Sequence, residues 1–441
     1  MRQTLVFSIL TVAVLALAVG CEDPGQVADA EDDFEEGVGG DADGDADSDG
    51  DGDTDADTEG NGTVTLGGEV MAPSGLVPIP GALVYLSLDD GPELEDEVFC
   101  YECDDMTGKH WTLSGPDGTW SIEGVLPNDW NIVTRKGFFQ RQRAIAVTEE
   151  PFQEVPTELT TLPGEGSADG LDQIPSYAVL SNTADPVHNL LAKFGMGEVS
   201  AQGTLVYGSE SFTLFTGSYA SSALTPIEDL FVDQETLNWF HQVFFSCPSN
   251  LNPATFVHEQ AEMLREYVYA GGKIYNSCCS ALWTDYAFPD YIDFYGGDGP
   301  DDPTDVIDVG RISTSAYSTV GEVVDLDLRA WLDEVTDENL DSFPFDNGYV
   351  KIDELVDVDD GMGLEEDDFW VKPYAWVTDL AAYPGSPLMV TYNYHCGEVF
   401  YSVYETTSHF EPSPDLKPQE YVLLYLILEV GVCEGEYEPP E

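Results

Sequence analysis

Two adjacent cysteines, Cys278 and Cys279, close the run Lys273-Ile274-Tyr275-Asn276-Ser277, and thiols placed there can do two kinds of work. A thiolate presented where a strand turns into a helix is a nucleophile for amide or ester hydrolysis, provided a base takes its proton. A cysteine of an exported chain is more often half of a disulfide. The chain has eight cysteines. Cys100 and Cys103 form a Cys-x-x-Cys with no second such pair to complete a zinc site, so a local disulfide is expected there. Cys247 and the Cys278/Cys279 pair close successive apolar segments, and neighbouring parallel strands bring such ends within disulfide reach. Cys247 with Cys278 is the preferred pairing; Cys247 with Cys279, or a vicinal bridge, also satisfies the spacing. Cys396, beside Gly397 in a hairpin turn, can pair with Cys433 and pin the C-terminal segment. A framework role is the favoured reading of the set.

Other polar candidates have plainer explanations. His258 and Glu262 are one helical turn apart, but the apolar stripe of that helix (Phe256, Gln260, Met263, Leu264, Tyr267) leaves them on a solvated face. His188 reads as a packed helix-surface residue. Trp283, Tyr286 and Tyr291 could stack sugars at strand ends, although core packing is the usual fate of such rings. No metal or cofactor is expected.

The elements that must position these residues belong to a very acidic chain, with 85 acidic against 14 basic residues and a formal net charge of -71. That balance argues against nucleic acid, which needs basic patches to displace counterions. The one basic cluster, Thr134 to Arg143 with Arg135, Lys136, Arg141 and Arg143, reads as the exposed face of a hairpin. Residues 22–62 contain no Lys or Arg and alternate Asp with Gly, Ala, Ser and Thr, which predicts an extended tether. Asp45, Asp47, Asp49 and Gly50 begin like a calcium loop, but Ala56 stands where the bidentate Glu belongs, so only weak calcium condensation is expected on the tether. Residues 1–21 have Arg2, an apolar run and a small-residue close, a secretory signal. Ala18-Val19-Gly20-Cys21 resembles the lipobox of bacterial lipoproteins, which implies lipidation of Cys21 and a membrane partner through that anchor.

Residues 63–152 alternate short strand-like runs with Gly, Pro, Asn and Asp turns, which predicts a β-sandwich. The segments "GGEVMAPSGLVPIPGALVYL" and "SGPDGTWSIEGVLPNDWNIV" resemble the carboxypeptidase-regulatory-like, transthyretin-type sandwich, a binding or spacer module. A Pro/Gly linker is expected over 153–174. Residues 175–435 alternate strands with helices, the pattern of a mainly parallel sheet covered on both faces. "HNLLAKFG", "LREYVYAGGKIY", "GEVFYSVYETTSH" and "QEYVLLYLILE" resemble the flavodoxin-like fold of the class I glutamine amidotransferase superfamily, in its trehalose-utilisation-like branch, with an insertion over about 284–375. The resemblance implies a nucleophilic cysteine on the tight turn after residues 273–279. Small residues two before and two after favour Cys279, between Ser277 and Ala281. The implied histidine would follow "EVFYSVY", where Glu405 arrives instead; His409 lies four positions on, and His395 on the preceding turn. A carboxylate there repels a thiolate. The expectation is a lipid-anchored envelope protein, on the outer membrane of a Gram-negative bacterium and facing the periplasm or the cell surface. It would bind or present an envelope ligand or protein through a catalytically silent α/β domain. A cysteine-dependent amide or ester hydrolase and a structural surface spacer are the competing readings.

Overall fold

The computed structural model describes residues 62–89, 91–92, 94–182, 184–216, 224–247, 254–296, 310, 316–336, 342–355, 371–377, 385–406 and 413–431. Cys21, the tether aspartates, His409 and Cys433 lie outside the described residues. All described residues belong to one compact unit, Glu59–Glu441.

Eight strands form its first part: β1 (Val64–Glu69), β2 (Leu83–Ser87), β3 (His110–Leu113), β4 (Thr119–Val125), β5 (Asp129–Lys136), β6 (Phe139–Ala146), β7 (Phe152–Glu154) and β8 (Asp172–Gln173). They make two sheets, ordered β4-β1-β7 and β3-β2-β5-β6-β8. Along β4, Trp120 and Ile122 are buried while Thr119, Ser121 and Glu123 are exposed, the period of two expected of a strand with one face on a core. The turn before it requires glycine: Gly118 has a φ of +77°, and a Cβ there would strike the Val70 carbonyl. Residues 153–174, expected as a linker, instead supply β7 to the first sheet and β8 to the second.

The basic cluster does lie on a hairpin, β5–β6, but it is not an exposed face. Arg135 and Lys136 are buried and ion-paired to Asp104 and Glu429. Arg141 and Arg143 share Asp172 at 2.9 and 2.6 Å. Long cationic side chains pack their stems against apolar surface when acidic partners meet the head.

The second part holds β9 (Tyr177–Leu180), β10 (Thr213–Thr216), β11 (Thr225–Pro226), β12 (Gln242–Phe245), β13 (Lys273–Ser277), β14 (Ile292–Phe294), β15 (Tyr317–Val323), β16 (Ser342–Gly348), β17 (Ile352–Leu355), β18 (Val371–Val377), β19 (Pro387–Tyr394) and β20 (Gly397–Ser402). Its helices are α1 (Val187–Leu191), α2 (Gln234–Asn238), α3 (Ala254–Tyr269), α4 (Ala281–Ala287), α5 (Leu326–Val335) and α6 (Pro418–Val430). Ten strands join in the order β11-β10-β9-β12-β13-β20-β19-β18-β15-β16. The first six pair in parallel and the rest antiparallel. The sheet is therefore mixed rather than mainly parallel. Beyond β20 the edge is extended by β19 and then by strands of the inserted segment, which reverse direction as antiparallel pairing allows without long crossovers.

Every residue of β13 is buried. A parallel strand covered on both faces is buried on both sides of its pleat, and here it carries Lys273, Asn276 and Ser277 inward along with Ile274 and Tyr275. β20 touches α3 and α4 as well as α6. Apart from its polar first turn and Glu429 near its end, α6 is apolar on all sides and packs on β20, β16 and α5, as a helix with little solvated face must. Trp283 stacks on Phe231 and Phe245 with ring centroids 5.2 and 4.2 Å away. It and Tyr286 are core residues rather than an open sugar platform. His258 and Glu262 are exposed.

Candidate functional site

The parallel strands β9, β12, β13 and β20 point their carboxyl ends the same way, the edge at which open α/β sheets place ligands. A single carboxylate ties these ends together. Asp185, which its Pro186 neighbour makes look like a helix N-cap, does not cap α1. It is fully buried and accepts hydrogen bonds from the Ser277 hydroxyl at the end of β13 and from the Cys247 amide (3.3 Å) beyond β12. The Thr406 amide (2.9 Å) and hydroxyl (2.7 Å) beyond β20 donate to its other oxygen. Burial pushes its carboxyl above the usual range, against the pull of those donors.

Above this knot sit three sulfurs. Cys247, Cys278 and Cys279 carry thiols rather than disulfides, and their Sγ atoms all lie within 4.8 Å of one another. The Cys278 and Cys279 sulfurs are 3.6 Å apart, and the Cys279 amide donates to the Cys247 sulfur at 3.3 Å. Cys278 is the strained residue of the strand-to-helix turn. Its φ is +47°, a left-handed value that a non-glycine residue adopts only where surrounding contacts impose it. One such contact is the Tyr401 hydroxyl, which donates to the Cys278 carbonyl at 2.7 Å. The residue at the apex is thus Cys278, one position before the Cys279 favoured by spacing. Cys247 and Cys278 are buried, and Cys279 is half-buried.

Burial pushes the Cys247 and Cys278 thiols well above their ordinary pKa, and for Cys247 the neighbouring thiols add to the effect. Glu405 completes the group. It is 3% exposed, its carboxyl is pushed up to about 9 by burial and then by Asp185, and it makes a side-chain contact to Cys247. Its Oε2 is buried with no hydrogen-bond partner among the described residues.

Acyl transfer by a cysteine needs a low-pKa thiol, an adjacent base and an open oxyanion donor. At a strand-to-helix turn that donor is the amide following the nucleophile, here Cys279 N–H, which is directed at the Cys247 sulfur. His395 lies at the other end of the sheet, in the β19–β20 turn, a full strand away or about 16 Å at 3.3 Å per residue. It stacks on Tyr269. His188, on α1, is buried and held near a pKa of about 4 by desolvation, with Tyr207 as its ring-nitrogen partner at 3.4 Å.

The remaining cysteines lie away from this site. Cys100 is bonded to Cys396, with 4.9 Å between Cα atoms, and Cys103 is disulfide-bonded as well. The expected Cys100–Cys103 and Cys396–Cys433 bridges are replaced because the loop bearing Cys100 crosses the amino ends of β12 and β13, where the β19–β20 turn presents Cys396. Phe99 presses its carbonyl on Gly271, whose φ of +114° leaves no room for a side chain. The expected Cys247–Cys278 bridge is likewise replaced by thiols. Asp185, Ser277 and Thr406 were not legible as site residues, since an Asp before Pro and a Ser or Thr in a turn have commoner local uses.

No family model matches this chain, and no curated protein matches it. Among solved structures it is similar to Cytoplasmic Protein STM3548 from Salmonella typhimurium (12% identity over 58% of this chain and 99% of that one, TM-score 0.32). It is also similar to Cytoplasmic Protein STM1381 from Salmonella typhimurium LT2 (12%, 68% and 96%, TM-score 0.31). A third is Gan42B, a GH42 beta-galactosidase (10% identity, TM-score 0.28), of which this chain covers 30% while 59% of its own length is matched.

Proposed function

We propose that this chain is a lipid-anchored envelope protein whose role is binding or presentation, with the carboxyl-end crevice of its large sheet as the ligand site. The signal and Ala18-Val19-Gly20-Cys21 support the anchor. The strands β10-β9-β12-β13-β20, numbered among themselves, run 2-1-3-4-5. That order supports a flavodoxin-like sheet and the amidotransferase-like resemblance. The two facing sheets of the first part support the carboxypeptidase-regulatory-like reading.

One observation carries the choice of binding over hydrolysis: the Cys279 amide, which a nucleophile on this turn would need as oxyanion donor, is bonded to the Cys247 sulfur. Raised thiol pKa values and the protonated Glu405 in the histidine's place point the same way. The test is alkylation of the native, reduced, chelator-treated protein with iodoacetamide across pH 5 to 9, read by tryptic mass mapping. Cys247 and Cys278 are expected to stay unlabelled until unfolding, and Cys279 to react no faster than an ordinary thiol of pKa about 8.5. Rapid labelling of Cys278 or Cys279 with an apparent pKa well below that value would restore the hydrolase and sink the binding role.

A further inference from the structure

The three thiols and Glu405 are more than the absence of a catalytic site. Tetrahedral zinc holds sulfur at about 2.3 Å, which places two ligand sulfurs about 3.8 Å apart. Cys278 and Cys279 are 3.6 Å apart without a bond, and Cys247 lies within the same 4.8 Å sphere. Glu405 would fill the fourth corner by turning toward the sulfurs: it contacts Cys247 and its buried Oε2 is unpartnered among the described residues, although its oxygens stand outside the 4.8 Å cluster of the three sulfurs. A buried carboxylate oxygen without a partner is costly. We propose that Cys247, Cys278, Cys279 and Glu405 form a closed four-ligand site for one soft divalent cation of the zinc class.

The proposal rests on the binding reading of this crevice and names the ligand class. Its parts answer the usual requirements of such a site. Three sulfurs and one oxygen fill a tetrahedron, leaving no open position for substrate, so the ion would be structural or carried rather than catalytic. The Cys279 amide on the Cys247 sulfur is the kind of donor that offsets thiolate charge. The knot around Asp185 fixes the backbone under two of the ligands, through the Cys247 amide and through Ser277 next to Cys278. Cys279, half-buried, provides the way in. Binding displaces thiol protons to solvent. Soft thiolate ligands discriminate against calcium and magnesium, so the site is chemically distinct from the tether aspartates.

The experiment titrates the reduced, chelator-treated full chain with cadmium alone, then with zinc in competition, under argon. The expected result is a thiolate-to-cadmium charge-transfer band that saturates at one ion per chain, is displaced by zinc and is unaffected by excess calcium. Cys279→Ser, the ligand whose change least disturbs packing, should abolish the band or weaken binding at least about tenfold, and Glu405→Gln should weaken it about ten- to a hundredfold. Circular dichroism of both variants checks the fold. Absence of the band in folded protein overturns the proposal, as does a band that survives Cys279→Ser unchanged. A Cys247–Cys278 or vicinal disulfide in the protein as first isolated also overturns it. None of these results touches the binding reading unless the thiols also prove hyper-reactive in the alkylation test.

Discussion

The two ends of the large sheet use the same side-chain chemistry to opposite effect. At the amino end, Cys100 and Cys396 are joined, Phe138 packs on His241 with ring centroids 4.3 Å apart, the His241 Nε2 meets the Glu95 carbonyl at 2.9 Å, and the Val98 amide bonds the Asn238 carbonyl. Each of these contacts joins the first part of the molecule, or the loop it sends across the large sheet, to the second part, and together they satisfy the groups involved. At the carboxyl end three cysteines meet without a disulfide, one of them on strained backbone, beside a carboxyl oxygen with no partner among the described residues. Cysteine is framework where its neighbours are satisfied. Strain alone does not separate the two ends, since His395 at the amino end also has a left-handed φ of +56°; what sets the carboxyl end apart is three unbridged thiols gathered beside an unpartnered carboxyl oxygen.

The largest effect that could break this comparison is on stability. The Cys100–Cys396 bridge spans 296 residues of sequence, and its removal in a Cys100→Ser/Cys396→Ser double variant should cost about 2–5 kcal/mol. Cys279→Ser, at the other end and outside any bridge, should cost less than about 1 kcal/mol. Denaturant unfolding of the chelator-treated, metal-free protein without reductant measures both. Equal losses would mean the carboxyl-end thiols are framework after all.

A smaller and sharper test is the pH dependence of the carboxyl end. Glu405 stays protonated in the folded chain up to about pH 9, while an unfolded glutamate ionises near 4.3. Between those values the unfolded state binds fewer protons, so the stability from the neutral Glu405 is complete below about pH 4.3 and is lost as pH rises through 9. The expected slope is a loss of up to about 1.4 kcal/mol per pH unit. Asp185 and Glu420 are also raised by burial, so the wild-type curve mixes several groups. The difference between wild type and Glu405→Gln isolates one. In chelator-treated protein, parallel curves would show that Glu405 ionises as freely folded as unfolded.

What the sequence made legible follows from the range of the interactions. The strand closed by the cysteine pair, the helix bearing the Phe256 to Tyr267 stripe and the Cys396-Gly397 hairpin are encoded within a few residues, and all appear in the structure. The β5–β6 hairpin was equally readable, but its burial was not. Arg135 finds Asp104 and Lys136 finds Glu429, 31 and 293 residues away, and no local pattern announces such partners. The same limit hid the Cys100–Cys396 bond. At the candidate site the cysteines and Glu405 were visible as residue types, and their meeting followed from parallel strands. The shift of the strained apex to Cys278 and the use of Asp185 as a tie between strand ends depend on tertiary contacts alone.

The smallest effect tests whether the two ends are independent. His395 lies in the β19–β20 turn with a φ of +56° and stacks on Tyr269, with ring centroids 3.8 Å apart and planes 18° from parallel. His395→Ala keeps the left-handed backbone and loses the stack, a cost of about 0.5–1.5 kcal/mol. His395→Gly loses the same stack but relieves backbone strain worth roughly 1–2 kcal/mol, so it should fall near wild type and above the alanine variant in thermal unfolding. Neither change should alter the alkylation rate of Cys279, since the sheet places a whole strand between them. If the thiol rate did follow residue 395, the imidazole and the sulfurs would share one site. The division between a satisfied end and a poised end would then have to be abandoned.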